Sequence, residues 1–275
     1  MIQRSEYQTV EQLFRSSTHG ETLSQKLRYD KYRHPSVSHK QWIDLLGRDV
    51  NNLEHLSLTR GIALGFVRYS QEHQPDLLTD DEAATLPLIA SIHDWGEAIT
   101  GDISFGDKTA DNDVEEAHAL DVVATEIYAN NQPPELLDAA KAVVFDHEGQ
   151  SKLGKIFFAI ECLGYMRTAV NAANHVSDQT CPDEQVAGMQ WLYTDVVSNV
   201  MVTMLGHAKE YAVVHAALMA NADKIDQTFD LIASHDDVFD NYDDLKRLGK
   251  VEAVFNARTA WEQFKTQSAQ QPANN

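Results

Sequence analysis

The segment SIHDWGEAITGD, residues 91–102, sets His93 beside Asp94 and places Glu97 and Asp102 a turn or two further on, directly after the apolar run AATLPLIA. At 3.6 residues per turn, neighbouring side chains on a helix point about 100° apart. Both can serve one point only if that point lies off the helix at its end or along its inner edge. A divalent cation is such a point, because an imidazole with a carboxylate suits Zn, Fe, Mn or Co. The dipeptide alone says little: SHDD at 234–237 and FDHE at 145–148 contain similar strings.

Two other residues strengthen the pattern. His55 shares a helical face with Leu58, Thr59, Ile62 and Phe66, where it is either a hydrogen-bonded core histidine or a metal ligand. Glu161, in KIFFAIECLGYMRTA, shares a face with Phe157, Phe158, Gly164 and Tyr165. A carboxylate on an apolar face is costly unless it is paired or bound to metal. Its partner would be a cation such as Arg60 or Arg167, or else an ion held jointly with His55, His93 and Asp94.

The elements that must position these groups are helical. Turn-bounded β-branched runs are almost absent, and helical periodicity recurs over 53–74, 82–93, 113–130, 134–147, 150–174, 183–206, 207–234 and 236–266. The acidic start TDDE suits the N-terminus of the second helix. The fold class is therefore all-α. Its expected organisation is an N-terminal extension (1–37), a core (38–174), a C-terminal helical appendage (175–266) and a disordered tail (267–275). The segment TGDISFGDKTADND, residues 100–113, reads as a loop on this scaffold, a common place for function.

Composition narrows the function classes. The chain has 275 residues, 43% of them hydrophobic, and a formal net charge of −20. Such a surface repels nucleic-acid backbone and anionic lipid. No apolar run is long enough to span a bilayer, and the start MIQRSEYQTVEQLFRSS has no signal-peptide apolar region. Two cysteines, Cys162 and Cys181, fit a reducing compartment, so a cytoplasmic location is expected. Phosphate-cradling GxxxxGK[ST] and GxGxxG motifs are missing, as is the serine-nucleophile GxSxG.

Taken together, LEHLSLTRGIAL, LIASIHDWGEAITGDI and GQSKLGKIFFAIECLGYMRTA resemble the HD-domain metal-dependent phosphohydrolases, most closely their 5′-deoxynucleotidase branch. The resemblance covers about residues 38–172. The family pattern is a His, a downstream His-Asp pair, and an acidic residue some way beyond it; the spacing from Asp94 to Glu161 is 67. Glu97, Gly101 and Asp102 match the branch's further Glu and Gly-Asp, and Trp42 and Arg48 match its upstream Trp and Arg in type. One departure stands out: the family has Asp where this chain has Glu161.

The resemblance implies an HD-domain helical bundle with additional C-terminal helices. It implies a divalent ion (Mn, Co, Fe, Zn or Mg) held by His55, His93, Asp94 and Glu161, with Glu97 and Asp102 as acid–base groups. Arg48 and Lys108 become candidate phosphate clamps and Trp42 a stacking platform or a core aromatic. The expected substrate is a small phosphomonoester, a (deoxy)nucleoside 5′-monophosphate, with no nucleic-acid or membrane partner and a homodimer left open. His118 and His147, 24 and 53 residues beyond Asp94, resemble the second-metal ligands of dinuclear relatives. That variant would be a phosphodiesterase or a di-iron oxygenase. A third reading is a degenerate HD domain serving as a binding or regulatory module.

Overall fold

The computed structural model describes residues 4–101, 109–146 and 151–270. Among these there is no strand, only an isolated antiparallel bridge between Leu27 and Asn51. The helices are α1 (Arg4–Arg15), α2 (Thr18–Ser24), α3 (His39–Leu46), α4 (Asn52–His73), α5 (Asp80–Ile92), α6 (Glu97–Thr100), α7 (Ala110–Ile127), α8 (Leu137–Val144), α9 (Lys152–Ser177), α10 (Val186–Glu210), α11 (Ala212–Ala220), α12 (Ala222–Ala233) and α13 (Asp244–Gln270). Among the described residues no helix is long and apolar enough to cross a membrane. The chain divides into two compact units, Met1–Asp30 with Gly47–Glu161, and Lys31–Leu46 with Cys162–Asn275.

The first unit is built around α5. Thr79 and Glu82 form a reciprocal capping box that satisfies the first backbone donors of this helix. Every residue from Thr85 to Ile92 is buried, as expected for a helix enclosed on all sides. It packs against α4, α8 and α1. Helix α4 starts at the Asn51 cap, whose side chain accepts from the Glu54 amide, and contributes Leu53, Leu56, Ala63 and Phe66 to the core. Helix α1 is tied to α4 by charge: Arg15 reaches Glu54 at 2.9 Å and Ser57 at 2.7 Å, and Arg60 pairs with Glu11 at 2.5 Å.

The second unit centres on α10, which packs against α11, α12 and α13 and buries Leu192, Tyr193, Val197, Met201 and Met204. Its buried carboxylate, Asp195, collects donors from across the unit. Tyr32 donates its hydroxyl, Lys250 of α13 donates at 2.5 Å, and Lys31 stands at 3.7 Å. Burial alone would raise the Asp195 carboxyl pKa, but the hydrogen bonds from Lys250 and Tyr32 outweigh it and hold the group below its usual value.

Residues 4–24 do not form the separate extension expected from sequence. Val10, Phe14 and Leu23 are buried, so α1 and α2 are part of the first unit. The periodic run over 207–234 is interrupted at Tyr211, whose backbone is extended (φ −118°, ψ 110°), and at Asn221. Helix α13 runs to Gln270, into the expected tail, and residues 271–275 lie outside the described ones.

Asp195→Ala should cost about 3–5 kcal/mol, because the Lys250 ammonium is left without its counter-ion. The lowered carboxyl contributes stability above the unfolded carboxylate value of about 3.9, and that contribution disappears as pH falls through the folded value. The urea-unfolding gap between variant and wild type should therefore be full near neutrality and narrow below about pH 4.

Candidate metal centre

All the ligand candidates on the described residues belong to the first unit. Helix α4 delivers His55 in its first turn. Helix α5 ends at Ile92, and His93 is its C-cap residue, with its amide still bonded to the Ile89 carbonyl. Asp94 follows in the turn that leads to α6. This turn is fixed by packing: Trp95 is buried and stacks on Phe14 with ring centroids 4.6 Å apart and planes 7° apart. Gly96 lies so close to α7 that an added Cβ would meet the Glu116 carbonyl oxygen at 2.5 Å. Gly101 closes α6 with φ +93°, a conformation that favours glycine.

These constraints bring His55, His93 and Asp94 together, with one ligand atom from each lying within 4.8 Å of the others. His55 Nε2 stands 3.3 Å from His93 Nε2 and 3.7 Å from Asp94 Oδ2, and His93 Nε2 is 3.2 Å from Asp94 Oδ1. Ligands about 2.0–2.2 Å from one ion lie about 2.8–3.6 Å apart in octahedral or tetrahedral arrangements. The two separations from His93, 3.3 and 3.2 Å, fit a shared cation, the 3.7 Å from His55 to Asp94 is slightly longer, and the group could hold a metal ion. The side chains are 11%, 4% and 12% exposed, respectively. His93 Nδ1 lies 3.1 Å from the Ala90 carbonyl. A proton on Nδ1 would donate to that oxygen and leave the Nε2 lone pair facing the site. The Thr59 hydroxyl, one turn along α4, lies 3.2 Å from His55 Nε2.

The site is electrostatically crowded. Arg28, buried, donates from Nη1 to Asp94 Oδ2 at 2.8 Å. Burial pushes the His55 pKa well below its usual value, and Arg28 pushes it further. Burial also opposes charge on His93, but Asp94 outweighs it and raises the His93 pKa. Asp94 itself is held well below the carboxylate range, because His93 and Arg28 outweigh its desolvation. One protonated and one neutral imidazole let two ring nitrogens sit 3.3 Å apart. A cation would do the same with both rings neutral.

Glu161 lies at the edge of this group, with Oε1 4.0 Å from His93 Nε2 and a side chain 22% exposed. Arg60, one of its alternative partners, is engaged by Glu11. Glu97 is buried on α6 and accepts from Asn52 Nδ2 at 2.8 Å. Arg48 turns to solvent, 74% exposed, and pairs with Glu54 at 2.6 Å. Trp42 is fully enclosed in α3 of the second unit, which fits a core aromatic, since a stacking platform needs an uncovered face. His118 is exposed on α7 and does not join the three-residue group. Asp102, Lys108 and His147 lie outside the described residues.

Sequence reasoning missed Arg28 and Asn52. Arg28 sits in a stretch without helical periodicity, 66 residues from its partner, and nothing local marks it. Asn52 follows the capping residue Asn51 at the start of α4, and nothing local marks it either.

A bound cation must displace the proton held on His93 by Asp94. The affinity for Mn²⁺ should therefore fall as pH drops below the raised His93 value, by about tenfold per pH unit, with about one proton released per ion. Calorimetric titrations in two buffers of different ionisation enthalpy measure that release, and a pH-independent affinity would contradict the arrangement. Compared with known proteins, the chain matches no family model, no curated protein and no solved structure.

Proposed function

We propose that the protein is a metal-dependent phosphohydrolase that removes phosphate from a small phosphomonoester, a (deoxy)nucleoside 5′-monophosphate. The observation that carries this reading is the approach of His55, His93 and Asp94, with one ligand atom from each within 4.8 Å of the others, inside a helical unit. Glu161 is proposed as the fourth ligand, approaching from α9. A divalent ion, when bound there, supplies Lewis acidity toward a phosphoryl oxygen and makes water a better acid.

The chain's own residues supply the remaining functions. Glu97, four residues after His93, accepts a proton from the attacking water or orients it. Asp102, by resemblance, delivers a proton to the leaving alkoxide. A phosphate dianion approaching a chain of net charge −20 needs local positive charge. Arg28 is better placed for this than Arg48, because its guanidinium already lies at Asp94. The Lys26 ammonium, 2.5 Å from the Glu97 carbonyl, adds a second positive charge near Glu97.

A second reading, a metal-free domain acting as a binding module, draws on the same Arg28–Asp94 pair at 2.8 Å: a guanidinium already neutralises the carboxylate that a metal would use. Metal content separates the two.

Purified protein should contain or take up a divalent ion and release phosphate from nucleoside monophosphates in preference to di- and triphosphates. Asp94→Ala should lose both properties. Glu97→Gln should keep the metal while its turnover falls by about 10²–10⁴-fold. Equal phosphate release by wild type and Asp94→Ala would overturn the proposal.

A further inference from the structure

Asn52 is an expensive residue in its position. It is fully buried, at 0% exposure, in the first turn of α4. Its Nδ2 donates to Glu97 Oε2 at 2.8 Å, while its own Oδ1 has no hydrogen-bond partner among the described residues. A buried acceptor left unpartnered costs free energy, and an apolar side chain would avoid that cost. Flipping the amide would aim Oδ1 at the Glu97 carboxylate, an acceptor against an acceptor. The observed orientation serves Glu97 at the expense of Asn52.

Glu97 needs such support. It opens α6, a helix of four residues, too short to fix its own direction. A glutamate has three side-chain torsions, and holding one rotamer costs entropy unless a partner selects it. Partners from two segments converge on it. Asn52 holds the carboxylate, and Lys26 Nζ donates to the Glu97 carbonyl at 2.5 Å. These partners are themselves joined, since the Asn52 amide donates to the Lys26 carbonyl at 3.2 Å. Asn52 also lies three residues before His55 on α4, a spacing that puts both side chains on one helical face. The same turn of α4 therefore sets the first candidate ligand and orients the glutamate.

We propose that Asn52 is the positioning residue of Glu97: it selects the carboxylate orientation that faces the side of α4 bearing His55, without touching substrate or ion itself. The consequence for turnover rests on the hydrolase reading above.

The test is a double-mutant cycle on the full chain, with Mn²⁺ alone as the metal probe and a nucleoside monophosphate as substrate. Asn52→Ala should lower kcat by about 10- to 100-fold, the range for loss of a group that orients a reacting residue. KM and Mn²⁺ affinity should each stay within about twofold. In a Glu97→Gln background the same substitution should change kcat by less than about twofold, because the two residues act as a unit. An equal loss in both backgrounds would mean a general structural role and would overturn the proposal. So would a parallel loss of Mn²⁺ affinity, which would place the effect on His55. Should the wild type release no phosphate, the hydrolase reading fails, and the Asn52–Glu97 link is read by NMR. The side-chain amide pair that disappears in Asn52→Ala should exchange slowly with water in wild type and rapidly in Glu97→Ala. Equal exchange in those two proteins would sink the positioning role.

Discussion

The Asp94 carboxylate is where the first unit resolves a costly electrostatic problem. A buried charge is tolerated only when its neighbours return what water would have supplied. Asp94 has Arg28 on one oxygen and His93 close to the other, with His55 within 4 Å. These groups come from the segment before α3, the start of α4 and the end of α5. The three stretches must meet for the carboxylate to stay ionised in place. Removing any of them leaves a charge or an imidazole buried without its partner, so the site and the packing of the unit are one problem.

The position of the site follows from helix architecture. A helix enclosed on all sides, as α5 is from Thr85 to Ile92, can present polar chemistry only where it ends. His93 and Asp94 occupy that end. The stacked Phe14–Trp95 pair and the close approach of Gly96 to α7 then hold the outgoing turn, which carries Glu97 back into the interior. The polar groups are thereby concentrated without opening the apolar core.

A comparison within the molecule shows why the Asp94 cluster suggests chemistry and Asp195 suggests structure. Asp195 is met by donors alone: the Tyr32 hydroxyl, the Lys250 ammonium and, further out, Lys31. That carboxylate is fully served, and an added ion would have nothing to contribute. Around Asp94 the count is uneven. Two imidazole nitrogens face each other at 3.3 Å, with Glu161 4.0 Å from one of them. Groups that can act as acceptors crowd together, and a proton or a cation is needed to reconcile them.

The helical character of the chain and the three-residue heart of its candidate site were legible in the sequence. Three-to-four-residue periodicity reports which face of a helix is buried, and it marked α4, α5, α9 and α10 as well as the polar residues His55 and Glu161 lying on apolar faces. An HD pair at the end of an apolar run, with another histidine on an apolar face, was enough to expect that His55, His93 and Asp94 would meet. Periodicity carries no record of which distant residue completes a pair. Arg28 reaches Asp94 across 66 positions and Asn52 reaches Glu97 across 45, and neither contact leaves a local pattern. The burial of α1 and α2 in the first unit, and the assignment of residues 31–46 to the second, were likewise decided by tertiary packing. Sequence determined the types of group and the helices that carry them. Only the folded chain decided which charges lie against each other, because burial turns an arginine or an amide that would be ordinary in water into a group whose partner must be specified.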